Sequence, residues 1–190
     1  VKGVWNDMNE PAVMEVPGKT FPMDVRHDYD GNPCSHRKAH NIYGTQMARA
    51  TYEGVKQFAY PKRPFIITRS AYSGAQRYTS SWTGDNVASW EHLWIANIQM
   101  QRMSISGMGF TGSDIGGFAE QPSGELYARW IQLGVFHPFC RTHSSGDHGD
   151  QEPWSFDIDV INITRKFVEL RYQLLPYLYT MFWEYINDGV

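Results

Sequence analysis

Two carboxylates far apart in the chain each close a short apolar run. Asp7 ends the run from Val1, within Trp5-Asn6-Asp7-Met8-Asn9-Glu10, and Asp85 ends a second run in Trp82-Thr83-Gly84-Asp85. Glycosidic cleavage needs such a pair. Its oxocarbenium-like state can be trapped by one ionised carboxylate while a protonated one gives its proton to the leaving oxygen. A lone Asp at the end of a strand ordinarily caps a helix or forms a turn. Here each is flanked by a tryptophan, Trp5 or Trp82, and an apolar ring beside a carboxyl group favours the protonated form that an acid catalyst requires. Arg69 follows the compact run Pro64 to Thr68. An unpaired guanidinium beside a buried strand is costly, so Arg69 is expected to have carboxylate partners and to orient one of them.

The elements that must hold these residues follow a βα rhythm, the pattern of a parallel sheet. Val1 to Asp7, Pro64 to Thr68, Tyr78 to Thr83 and Ser106 to Thr111 read as strands. Between them, Asn41 to Phe58 carries Tyr43, Met47, Ala50 and Val55 at helical spacing, and Ser89 can cap a helix through Leu93, Trp94, Ile98 and Met103. Ser123 can cap Gly124 to Phe136. A last apolar stripe runs through Ile163, Phe167, Leu170, Leu174 and Leu178, with Pro176 inside it predicting a kink or break. The exception is Pro11 to His40, a polar stretch with Pro17, Gly18, Pro22, Gly31 and Pro33, too long for a plain connection. The site of a parallel α/β sheet lies at the strand ends, so this excursion is expected to wall it.

Composition narrows the function classes. The chain has 190 residues, 42 % hydrophobic and 19 % charged, which describes an ordinary folded chain, one domain or a piece of a larger one. A net charge of −3 without a Lys/Arg run offers nothing to neutralise phosphates, and no apolar run approaches the roughly 20 residues of a membrane helix. Nucleic-acid and membrane partners are therefore not expected. Cys34 and Cys140 lack CxxC spacing and read as free thiols. Aromatic residues reach 15 %, and flat ring faces stack on sugars as well as fill cores.

The residues also carry a family resemblance. Trp5-Asn6-Asp7-Met8-Asn9-Glu10-Pro11 resembles the nucleophile signature of glycoside hydrolase family 31, the α-glucosidases. Arg69-Ser70-Ala71-Tyr72-Ser73-Gly74-Ala75-Gln76-Arg77-Tyr78, running into Trp82-Thr83-Gly84-Asp85-Asn86, resembles its acid/base region. The match continues through Gly112-Ser113-Asp114-Ile115-Gly116-Gly117-Phe118, Arg141-Thr142-His143 and Gln151-Glu152-Pro153-Trp154, in the family's order and over nearly the whole chain. The family's α-xylosidases carry a different nucleophile run, which favours a glucosidase. The resemblance implies that Asp7 is the nucleophile and Asp85 the general acid and later base. Arg69, Asp114 and His143 fall where the family hydrogen-bonds sugar hydroxyls. Trp5, Met8, Trp82 and Phe118 match apolar residues lining the same subsite. No cofactor is implied.

The implied fold is a (β/α)8 TIM barrel of α/β class, with residues 1–190 forming part of the catalytic domain, about strands four to eight, and 11–40 a loop or insertion near the active site. Such barrels run to about 250 residues, so earlier strands and further domains of a larger polypeptide are expected, and the piece alone is expected to be poorly soluble or inactive because two strand edges would lack partners. The implied activity is retaining, exo-acting hydrolysis of terminal α-linked glucose from an oligosaccharide substrate. A transglucosylase on the same scaffold and a non-catalytic carbohydrate-binding protein remain open readings. His143, Asp147, His148 and Asp150 lie close together, but the segment is rich in turn formers and lacks an i, i+4 frame, so it reads as a pocket-rim loop with only His143 reaching the sugar and no metal. Glu10 and Glu152 read as holding neighbouring side chains. Gly109, Gly112, Gly116 and Gly117 read as tight turns or places of close backbone approach to the sugar, not as a phosphate cradle.

Overall fold

The computed structural model describes residues 3–189, so Val1 and Lys2 of the expected first strand lie outside the described residues. The chain divides into two compact units, Val1–Ser81 and Trp82–Val190.

In the first unit, β-branched and aromatic runs pair in parallel, as the βα rhythm predicts. Strand β1 (Val4–Asn6) pairs with a later strand, Ile66–Thr68, in the register Val4↔Ile66, Trp5↔Ile67 and Asn6↔Thr68. Parallel neighbours need a long crossover, and it consists of the Pro11–His40 excursion followed by a helix. The excursion is not plain loop. It forms a two-residue antiparallel hairpin, β2 (Arg26–His27) with β3 (Cys34–Ser35), leading into the short helix α1 (His36–Ala39). Buried His36 organises it. Its Nδ1 lies 2.9 Å from His27 Nε2, and its Nε2 lies 2.9 Å from His40 Nδ1. Burial, then the neighbouring His40 and His27, push the His36 pKa down, which favours the neutral ring.

Helix α2 (Tyr43–Ala59) returns the chain to β4 (Ile66–Thr68). Its most buried positions are Gly44 and Ala48, not the larger stripe of Tyr43, Met47, Ala50 and Val55. Small residues win here because the backbone comes so close: a Cβ on Gly44 would lie 2.5 Å from the Ser70 carbonyl oxygen. The Asn6 amide donates to Thr51 Oγ1 at 3.0 Å, which ties β1 to this helix. Strand β5 (Ser80–Trp82) then joins β4 in parallel through Ile67↔Ser80 and Thr68↔Ser81.

The second unit has helices around a short-stranded core. Helix α3 (Trp90–Ile105) begins where expected, with the Ser89 hydroxyl accepting the His92 N–H. The strand expected over Ser106–Thr111 is shorter. Ser106 to Met108 turn back their N–H groups onto the last carbonyls of α3, so extended pairing starts only at β6 (Thr111–Gly112). Residues spent on closing a helix are unavailable to a ladder. Strand β7 (Asp114–Ile115) leads to helix α4 (Gly124–Gly134), capped by Ser123, and pairs in parallel with β8 (Arg141–Thr142). Ile115, Leu126, Tyr127, Trp130 and Val135 form the core with Val160 from helix α5 (Ile158–Asp188). Helix α5 runs 31 residues and continues through Pro176 without the expected break. Proline removes one donor from its ladder, a loss that a helix of this length absorbs.

Arg171 on α5 donates to the carbonyls of Val135, His137 and Pro138, satisfying chain ends just beyond α4. Those bonds enclose His137, which is 5 % exposed and has no hydrogen-bond partner for either ring nitrogen among the described residues. Burial, reinforced by the Arg171 charge, pushes its pKa from 6.5 to about 4. An unfolded chain takes up this proton at its ordinary value while the folded chain refuses it. Stability is therefore expected to fall as pH drops from 6.5 to about 4, by up to about 3 kcal/mol, and to level off below. Urea unfolding between pH 7.5 and 4 checks this, with His137→Gln expected to flatten the slope.

Candidate active site

In the first unit, Asp7 leaves β1 immediately after Asn6, and Arg69 leaves β4 immediately after Thr68, so adjacent parallel strands deliver both at their carboxyl ends. The loop between Asp7 and Glu10 is strongly constrained. Met8 sits at φ 57°, a left-handed conformation that a methionine rarely adopts, and its N–H donates to Asp7 Oδ1 at 2.8 Å. Fully buried Asn9 clamps the next turn, donating to Thr68 Oγ1 at 2.8 Å and accepting the Ser70 N–H at 3.1 Å. The Arg69 N–H donates to the Asn6 carbonyl.

The Arg69 guanidinium gathers this loop. Its Nε and Nη2 donate to Glu10 Oε1 and Oε2 at 2.8 and 3.1 Å, a fork onto one carboxylate. Nη1 lies 3.2 Å from Asp7 Oδ1, and Nη2 lies 2.9 Å from Met8 Sδ. Burial pushes the Glu10 carboxyl up, yet the hydrogen bond and charge of Arg69 outweigh it and hold the group below its ordinary range. Trp5 and Met8 are exposed at 42 % and 41 %, so both have surface to offer a ligand.

In the second unit, Asp85 follows β5 in an exposed turn between Gly84, at φ 78°, and buried Asn86. Asn86 fixes that turn. Its carbonyl accepts the N–H groups of Phe118 and Ala119 at 2.6 and 3.1 Å, and its side-chain oxygen accepts the Thr83 hydroxyl at 2.6 Å. The Phe118 ring stacks obliquely on His143 with centroids 5.2 Å apart, and the Ser145 N–H donates to the Phe118 carbonyl. The structure thus brings the Asp85 turn, Phe118 and the His143 loop together. Gly117 permits this approach, since it has φ 92° and a Cβ would lie 2.5 Å from the Ala88 nitrogen.

Asp114 opens β7 with no exposed surface, and Arg141 of the paired strand β8 donates to its Oδ1 from Nε and Nη2 at 3.3 and 3.1 Å. The same guanidinium lies over the rings of Trp82, at 5.5 Å, and Phe139, at 5.0 Å. Trp82 is 2 % exposed. Gly109, Gly112, Gly116 and Gly117 pack closely against the protein itself, where added Cβ atoms would meet Tyr185, Phe139, Gln151 and Ala88. Cys34 and Cys140 are free thiols. Among the described residues, no group of three or more His, Cys, Asp or Glu is arranged to hold a metal ion, and no helix is long and apolar enough to cross a membrane.

Sequence reasoning assigned no role to Arg141, Asn9 or Asn86, although all three lie within the runs that carry the resemblance. Arg141 had a readable signal. It precedes His143 on a strand-end segment, and a buried acid such as Asp114 must find a cation.

Parallel βα units present Asp7 beside Arg69 at the carboxyl ends of β1 and β4, and comparison with known proteins gives the family. Residues 1–181 match the model of the glycosyl hydrolases family 31 TIM-barrel domain, and the chain belongs to this family. It is 47 % identical over 189 residues to alpha-glucosidase 2 of Bacillus thermoamyloliquefaciens, covering all of this chain and 24 % of that protein. It is 46 % identical over 181 residues to glucosidase 2 subunit alpha of Saccharomyces cerevisiae, covering 94 % of this chain and 19 % of that one. Among solved structures, the glucosidase II alpha subunit in its Glc1Man2-bound form superimposes with a TM-score of 0.92 at 38 % identity, over 98 % of this chain and 20 % of that one. The chain therefore spans about a fifth to a quarter of the length of these relatives.

The Arg141–Asp114 pair predicts a measurable cost. Arg141→Met is expected to destabilise the protein by about 1.5–3 kcal/mol, because a carboxylate with no exposed surface loses charge-assisted bonds. Denaturant unfolding of the two proteins measures the difference.

Proposed function

We propose that this chain carries the catalytic carboxylates of a retaining, exo-acting α-glucosidase, which removes terminal α-linked glucose from oligosaccharides by double displacement. The single observation that supports it most is the presentation of Asp7. Both the Met8 N–H and the Arg69 guanidinium engage Oδ1, which orients the carboxylate and leaves Oδ2 as the attacking atom. In the first step Oδ2 forms a bond to the anomeric carbon as the glycosidic bond breaks, and Asp85 gives its proton to the departing oxygen. In the second, Asp85 takes a proton from water, the water oxygen bonds to the same carbon, and the Asp7 carboxylate is released.

In this reading Arg69 and His143 hydrogen-bond the glucose hydroxyls and Trp5, Met8 and Phe118 form apolar faces of its subsite, while the buried Asp114 and Trp82 meet the sugar only once Arg141, which covers them, turns aside. The chain contributes about strands four to eight of the barrel, residues 11–40 form an insertion near the active site, and the remaining strands come from the rest of a longer polypeptide. The names of the relatives, alpha-glucosidase 2 and glucosidase 2 subunit alpha, support the substrate class.

Three outcomes are expected for the full-length enzyme. Asp7→Asn gives no covalent glycosyl-enzyme by mass spectrometry, and persistence of that species would unseat Asp7. Asp85→Ala loses about 10²–10⁴-fold in kcat on unactivated glucosides, with much less loss on substrates whose leaving group needs no proton. A crystal structure of the full-length enzyme places the two carboxyl groups about 5–5.5 Å apart, whereas about 6.5–9.5 Å would indicate inversion.

A further inference from the structure

Beside α2 the first unit encloses a cleft of about 620 Å³ that shares no residue with the group around Asp7. Its size falls within the about 300–1,000 Å³ of small-molecule sites. One wall is α2, where Tyr43, Met47, Ala50 and Glu53 recur at helical spacing on a different face from buried Gly44 and Ala48. The other wall is the tip of the β2–β3 hairpin, Asp28 to Asp30. That tip is held in a costly conformation. Tyr29 and Asp30 have φ of 52° and 53°, and Gly31 follows at 81°. Non-glycine residues rarely adopt this left-handed region, and such strain gathers at ligand clamps. Two ties impose it. Asp28 Oδ2 accepts the Gly31 N–H at 3.0 Å, and Asp30 takes two bonds from the Arg49 guanidinium on α2, at 2.8 and 2.9 Å. The Lys38 ammonium lies 4.7 Å over the Tyr29 ring, and His27 at the base of the tip is bonded to buried His36. Both walls are therefore set before any ligand enters.

The lining selects a chemical class. Asp28, Asp30 and Glu53 stand against a single guanidinium, Arg49, so an anionic ligand is repelled. Among the described residues, no group of three or more His, Cys, Asp or Glu is arranged to hold a metal ion. Asp30 and Arg49 neutralise each other, yet the carboxylate keeps lone pairs and the guanidinium keeps N–H groups beyond the two bonds they share, which suits the adjacent hydroxyls of a sugar. The rings of Tyr29 and Tyr43, with Met47 and Ala50, supply the flat apolar surface on which sugar C–H faces pack.

We infer that the cleft between α2 and the β2–β3 hairpin is a second saccharide-binding site, which takes a short run of α-linked glucose by stacking on Tyr29 and hydrogen-bonding Asp28, Arg49 and Glu53. The choice of α-linked glucose among neutral sugars rests on the proposed function. The site holds a glucan chain on the enzyme and takes no part in bond cleavage.

Calorimetry on the full-length enzyme tests this, with the active site saturated by deoxynojirimycin and with maltotriose, isomaltotriose and nigerotriose as probes. At least one trimer is expected to bind at a single site with a Kd on the order of 1 mM. Tyr29→Ala is expected to weaken that binding by about 5- to 10-fold, while Tyr29→Phe keeps the ring and stays within about twofold. Glu53→Gln, at an exposed helix position, is expected to weaken it by about 10-fold through loss of a charge-assisted bond. All three variants are expected to hydrolyse 4-nitrophenyl α-glucoside with kcat/KM within about twofold of the parent, which separates loss of the cleft from loss of the fold. The inference is overturned by the absence of trimer binding to the parent, by unchanged binding in Tyr29→Ala or Glu53→Gln, or by spermidine binding in place of every trimer. A crystal structure of the full-length enzyme with another part of the chain in the cleft overturns it equally. Failure of the parent to hydrolyse the α-glucoside counts against the catalytic reading instead, and the trimers are then titrated without the inhibitor.

Discussion

One guanidinium governs the first unit. Arg69 emerges from β4 and must find anions because it is mostly withdrawn from water, and the loop after β1 supplies two within four residues. Everything in that loop serves the meeting: Asn6 accepts the Arg69 backbone N–H, Met8 bends through a left-handed conformation, and Asn9 crosses to Thr68 and Ser70. The second unit repeats the theme with Arg141, whose fork serves Asp114 while its flat face covers Trp82. In both, a cation beside paired strands fixes an acid, and the side-chain freedom of that acid is low.

Much of this was legible in the sequence. The strand-end positions of Asp7 and Asp85, the caps at Ser89 and Ser123, and the expectation that Arg69 has carboxylate partners follow from local chemistry, and the structure carries each of them. The family and the barrel class were also readable, because the matching runs are long and in order.

What was not legible depends on distances that no local pattern encodes. The buried face of α2 is Gly44 and Ala48, although the larger residues form the more conspicuous stripe, because Ser70 stands where any side chain on residue 44 would go. The strand expected over Ser106 to Thr111 is cut short because the end of α3 claims its first donors. Pro176 looks like a stop signal, and the helix passes through it. Asn86 and Arg141 matter through partners from 27 to 33 residues away, Arg141 through Asp114 and Asn86 through Phe118 and Ala119.

The histidines of the excursion after β1 carry a further consequence. A neutral imidazole has one donor and one acceptor nitrogen, and His36 presents both of its own to other histidines. The bonds through His27, His36 and His40 must therefore all point in one sense along the row. Reversing that sense requires the three rings to exchange tautomers in concert and moves no heavy atom. The excursion thus admits two proton arrangements on one set of heavy-atom positions, which nitrogen NMR would distinguish by paired changes in tautomer.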